Sequence, residues 1–95
     1  MNSPRTPLPE VPKVTVRYWA AARAAAGVAE EAVQAGSLAE ALAVVRQRHP
    51  EPAMHRLLDM CSLLLDGQPV NRRDPTEVPL RDGTTLEVLP PFAGG

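Results

Sequence analysis

Cysteine, aromatic residues and long apolar runs are all scarce in this sequence. Cys61 is the one cysteine, so no disulfide can form within the chain. The apolar stretches are alanine-rich and broken by Arg23, or as short as Leu63–Leu65. Neither approaches the ~20 apolar residues that span a bilayer, so no membrane partner is expected. No block of like charge occurs and the net charge is −1, which points away from nucleic acid and anionic surfaces. There is no glycine-rich phosphate loop, so nothing in the chain is expected to bind ATP. His49, His55 and Cys61 follow one another at intervals of six, which is not metal-ligand spacing. They read as exposed histidines and a core or rim thiol, and no cofactor or metal is expected. Cys61 has no base partner to make it a nucleophile. Glu30 and Glu31 read as a solvated strand or loop edge rather than an acid/base pair. Arg72 and Arg73 read as a solvated loop.

The 95 residues allow one domain. At this size roughly 60–70% of the unfolded surface is buried on folding, enough for a modest core but not for a deep cleft. A self-contained enzyme is therefore not expected. Residues 1–12 carry four prolines and little that packs, and read as a flexible leader. They contain no apolar core of a secretion signal. With the single thiol, this leads to the expectation of a reducing, cytoplasmic setting.

Folding begins at Lys13. Val14, Val16 and Tyr18 alternate with Lys13, Thr15, Arg17 and Trp19, the pattern of a half-buried strand. Ala20 to Ala26 is a short alanine helix stopped by Gly27. Glu31 to Ala35 reads as a weak second strand. Ser37, with Glu40 three residues on, forms a capping-box signature. Leu38, Ala41, Leu42 and Val45 follow at helical spacing, and Pro50 and Pro52 are expected to end this main helix. A short helix is expected near Ala53 to Met60, with Met54, Leu57 and Leu58 inward. Ser62 to Leu65 is a strand, Asp66-Gly67 a turn, and Gln68 to Val70 a possible return. Asn71 to Val78 reads as loop, Asp82-Gly83 as a turn, and Thr84 to Leu89 as the last strand. One good helix covering one sheet makes the class α+β. The division is a leader at 1–12, a folded domain at 13–89 and a tail at 90–95.

The tail carries the chemistry. Gly94 and Gly95 have no side chains and suit a narrow tunnel where any Cβ would clash. A chain-end carboxyl has a pKa of ~3.3–3.7, so at neutral pH it is an anion and a poor acyl donor until activated. Joining it to AMP would supply a leaving group, and sulfide attack would then give a thiocarboxylate. Pro90 and Pro91 end strand pairing and stiffen the exit, lowering the entropy lost on insertion. Phe92 is the only phenylalanine and is suited to anchor the tail in a partner's pocket.

The ending Leu-Arg-Asp-Gly-Thr-Thr-Leu-Glu-Val-Leu-Pro-Pro-Phe-Ala-Gly-Gly resembles that of the MoaD sulfur carriers of the MoaD/ThiS family, the small subunits of molybdopterin synthase. The strand from Val14 to Ala20, the Ser37-Leu38 helix opening and the Asp66-Gly67 turn are similar as well. Trp19 stands where the family often has phenylalanine. The resemblance implies a ubiquitin-like β-grasp, a mixed sheet on one main helix. It implies that Gly95 is adenylated by a MoeB-like enzyme using ATP and converted to a thiocarboxylate with sulfur from a donor protein. The tail, with Pro90, Pro91, Phe92, Ala93 and Gly94, would then enter a MoaE-like large subunit within a heterotetramer. There it would give sulfur to cyclic pyranopterin monophosphate in molybdenum cofactor biosynthesis. Substrate-handling residues would belong to the large subunit, so this chain would not be an enzyme alone. The alternatives are a carrier for thiamine or cysteine synthesis, a ubiquitin-like modifier that joins Gly95 to lysines, and a non-covalent β-grasp module.

Overall fold

The computed structural model describes residues 11–91. The leader up to residue 10 and Phe92, Ala93, Gly94 and Gly95 lie outside the described residues.

The alternating segment forms β1 (Lys13–Tyr18), followed by α1 (Ala20–Ala26) and β2 (Glu30–Gln34). Then come α2 (Leu38–Arg48), α3 (Pro52–Met60), β3 (Ser62–Leu65), β4 (Gln68–Pro69) and β5 (Thr85–Leu89). A 3₁₀ turn at Pro75–Glu77 interrupts the segment read as loop. The strands make one mixed sheet in the order β2-β1-β5-β3-β4. β1 runs parallel to β5, placing Val16 beside Leu86 and Tyr18 beside Val88. β2 flanks β1 and β3 flanks β5, both antiparallel. This is the ubiquitin-like β-grasp.

One face of the sheet is dry. Val14, Val16, Tyr18, Val33, Leu86 and Val88 are buried there under Leu38, Ala41 and Val45 of α2. Ala22 of α1 and Met54 and Leu58 of α3 complete the same cluster. The period-2 pattern of β1 thus predicted its buried side, because a half-covered strand must separate its faces.

Local chemistry sets the ends. Ser37 Oγ accepts from the Glu40 N–H at 3.2 Å, while Glu40 reaches back to the N–H of Gly36 at 3.1 Å. The reciprocal cap therefore lands one residue before the capping serine. α1 closes on Gly27 at φ 79°, whose N–H donates to the Arg23 carbonyl at 2.9 Å. Asp66 and Gly67 both have positive φ, the requirement of a tight two-residue hairpin turn. Pro52 does not only end α2. It opens α3, where its missing N–H would have no helical partner. The ladder begins before β1, since the Pro12 carbonyl accepts the Ala35 N–H at 3.0 Å. Among the described residues, no helix is long and apolar enough to cross a membrane.

Candidate functional site

The site is built around the departure of β5. This strand lies at the centre of the sheet, held by β1 on one side and β3 on the other. At its end the Val88 carbonyl accepts the Trp19 N–H at 3.1 Å, and Leu89 stands opposite Ser62. Pro90 is buried at the rim and Pro91 is exposed. The chain leaves the fold between the start of α1 and the junction of α3 with β3. Trp19 and Met60, 43% and 59% exposed, lie at this same end and give it an apolar character.

Of the residues the sequence assigns to the tail, Pro90 and Pro91 are thus positioned by the sheet. Phe92, Ala93, Gly94 and Gly95 lie outside the described residues. β5 is half-buried and central, with Leu86 and Val88 inward. Its backbone groups are satisfied on both sides, so a pull on the carboxy end does not act on a loose edge.

Cys61 stands just before β3, close to the exit, but its chemistry is quiet. Its Sγ donates to the Leu57 carbonyl at 3.1 Å, and burial pushes the thiol up to about 11. The thiolate that a nucleophile needs is therefore scarce at neutral pH. Arg72 is exposed on its loop, and Arg73 Nε donates to the Val70 carbonyl at 3.3 Å. Among the described residues, no group of three or more His, Cys, Asp or Glu could hold a metal ion.

Three readings from sequence need correction. Glu31 is not a solvated edge, and neither His49 nor His55 is an exposed histidine. Glu31 faces inward from β2, opposite Val16, and its side chain is only 17% exposed. Its Oε2 accepts from the Tyr18 hydroxyl at 2.6 Å and is bonded by His49 Nε2 at 2.6 Å. Its Oε1 accepts from Arg48 at 3.1 Å. Arg48 also donates to the Ala32 carbonyl at 2.7 Å. The His49 ring stands edge-on to Tyr18 with centroids 5.8 Å apart. Burial pushes the Glu31 carboxyl up, but hydrogen bonds from Tyr18, His49 and Arg48, with the charge of His49, outweigh it and hold it below its ordinary value. Burial first, then the bond to Glu31, holds the Tyr18 hydroxyl far above its ordinary range. Both oxygens of Glu31 are committed to these internal donors, so the cluster fastens the end of α2 to the sheet edge. An inward charge on an edge strand also discourages stray strand pairing. His55 Nε2 is likewise used internally, on the Arg46 carbonyl at 3.1 Å. One signal pointed to the cluster: Glu31 shares the alternating face of Val33 and Ala35.

The model of the ThiS family matches residues 16–95. No curated protein sequence matches the chain. Among solved structures, the small archaeal modifier protein 1 of Methanosarcina acetivorans is similar at TM-score 0.75 and 21% identity, covering 88% of this chain and 97% of that one. The putative molybdopterin converting factor subunit 1 of Pyrococcus furiosus is similar at 0.70 and 24%, covering 84% and 98%. A complex of subunits 1 and 2 of the molybdopterin-converting factor from Helicobacter pylori contains a chain similar at 0.65 and 24%, covering 87% and 99%. At these identities the structural likenesses speak for the fold, while the family match extends through the final glycine. The chain belongs to the ThiS family, the ubiquitin-like sulfur carriers of the MoaD/ThiS type.

Proposed function

We propose that this chain is the sulfur-carrying small subunit of a molybdopterin synthase. The observation that carries the reading is the pairing of a two-sided central strand, β5, with a family match that runs through Gly95. In this reading a MoeB-like enzyme uses ATP to adenylate the Gly95 carboxylate. A donor protein's sulfur displaces AMP and leaves a thiocarboxylate. The tail, with Phe92, Ala93 and Gly94 behind Pro90 and Pro91, enters a MoaE-like large subunit and gives its sulfur to cyclic pyranopterin monophosphate. The folded part supplies the grip and the stiff exit, and the setting is the cytoplasm. ATP stays with the activating enzyme. The likeness to subunit 1 of a converting factor, solved in one case together with subunit 2, supports a larger-subunit partner. The heterotetramer is part of the proposal.

A second reading is favoured by the likeness to the archaeal modifier protein: the same activated carboxyl is joined to amines of other proteins. The deciding experiment is intact mass after incubation with ATP, the activating enzyme and a sulfur source, followed by addition of a MoaE-like subunit. One oxygen replaced by sulfur at Gly95, then lost as pterin product forms, supports the carrier. Recovery of a thiazole synthase in place of a MoaE-like subunit turns the reading to thiamine synthesis. Gly-Gly remnants on cellular lysines that vanish when Gly95 is deleted turn it to the modifier.

A further inference from the structure

An activated carboxyl endangers its own carrier, because any nearby amine can take the acyl group. This chain holds nine arginines and one lysine, Lys13. Guanidinium groups stay protonated and are poor acyl acceptors, whereas a lysine amine is a competent one once it loses its proton. The scarcity of lysine therefore confines self-acylation on side-chain amines to one address, and the fold decides what can reach it.

Lys13 is the first residue of β1 and is exposed. Its backbone is held firmly: its N–H donates to Asp82 Oδ1 at 2.9 Å, and its carbonyl accepts the Gly83 N–H at 2.9 Å. Among the described residues its ammonium enters no ion pair. Lys13 also stands between two open hollows. One, of about 490 Å³, is lined with Val11, Gln34 and Asp82. The other, of about 400 Å³, runs between β2 and α2 and is lined with Ala32, Val33, Gln34, Val44 and Arg48. The second is lined in part by apolar side chains, with Lys13 beside it; Arg48 at its other side is already engaged by Glu31 and the Ala32 carbonyl. This lining suits a narrow glycine strand ending in an anion or a phosphate ester.

The position of Lys13 disfavours reaction within one chain and leaves the amine open to a second copy. β1 and β5 are parallel, so Lys13 lies at the entry end of β5 and the tail departs at the other. At roughly 3.3 Å per residue, the length of β1 separates Lys13 from the exit by about 17 Å. The six residues after Leu89, at most about 20 Å when straight, would have to reverse direction to span that distance.

We propose that Lys13 is the acceptor at which one activated copy of this chain acylates a second copy, giving head-to-tail linked chains when sulfur is lacking. This rests on the activation of Gly95 argued above. The Lys13 ε-amine, having given its proton to solvent, attacks the Gly95 carbonyl of the acyl adenylate. A C–N bond forms, the bond from the carbonyl carbon to the AMP oxygen breaks, AMP leaves, and the amide nitrogen gives its second proton to solvent. ATP consumed by the adenylating enzyme is the only co-reactant.

The test incubates the full chain with ATP, magnesium and a MoeB-type adenylating enzyme, without a sulfur source. A parallel sample contains hydroxylamine, which traps activated Gly95 as a hydroxamate. The expected result is a species of two chains less one water, with the peptide from Asp82 to Gly95 attached at Lys13 after tryptic digestion. Lys13→Arg, which keeps the charge, loses this species while still forming the hydroxamate. A hydroxamate with no linked species, or linkage at the α-amino terminus or at a hydroxyl, overturns the Lys13 proposal and leaves the activation of Gly95 standing. Failure to form the hydroxamate overturns both.

Discussion

The hydroxyl of Tyr18 donates across the β1–β2 pair to the carboxylate of Glu31 at 2.6 Å, on the dry face of the sheet. An ionised acceptor strengthens such a bond. Replacing Tyr18 by phenylalanine removes the bond and keeps the ring, so it should destabilise the fold by about 1.5 kcal/mol. Urea denaturation reads the change. A double-mutant cycle with Glu31→Gln should show non-additivity of at least about 0.5 kcal/mol, and strict additivity would refute the coupling.

The same carboxylate sets an acid limit. Its folded pKa lies below the ordinary 4.5, so its contribution is fully present above that value and is lost as pH falls through the lowered one. Stability measured from neutrality downward should therefore drop below pH 4.5 with a component that Glu31→Gln removes. An unchanged acid limb in that variant would assign the loss to other carboxylates.

Cys61 should resist modification. With its thiol raised to about 11, alkylation by iodoacetamide at neutral pH should be much slower in the folded chain than in urea. Equal rates in the two states would contradict the burial described for it.

Stability and carrier function should separate cleanly. Leu86 is fully buried in β5, so Leu86→Ala should cost about 2–5 kcal/mol. Among the described residues the core cluster ends at Val88, ahead of the glycines that a chain ending at Ala93 lacks. That chain should melt as the full chain does and form no thiocarboxylate. Retention of sulfur transfer by this shortened chain would defeat the proposed function.

These comparisons show which features are legible in a sequence. The alternation in β1, the cap at Ser37 and the turn at Asp66-Gly67 were all legible, because each depends on neighbours a few residues away. The Tyr18–Glu31–His49 cluster was not, because its partners stand 13 and 18 residues apart and meet only once β2 takes its register on β1. The parallel union of β1 with β5 was hidden for the same reason: each strand reads alike whatever its neighbour. The chemistry proposed for the tail rests on the sequence and the family match, since Phe92 to Gly95 lie outside the described residues. The exposure of Trp19 and Met60 at the same end follows only from the fold.

The parallel pairing of β1 with β5 also has a mechanical meaning. Tension between the leading end of β1 and the trailing end of β5 acts along the two strands, in opposite senses. Their hydrogen bonds then carry the load together, in shear, instead of opening one after another like a zipper. β3 braces the other flank of β5. A pull on the carboxy terminus against the start of β1 thus loads these hydrogen bonds side by side, so none of them opens alone.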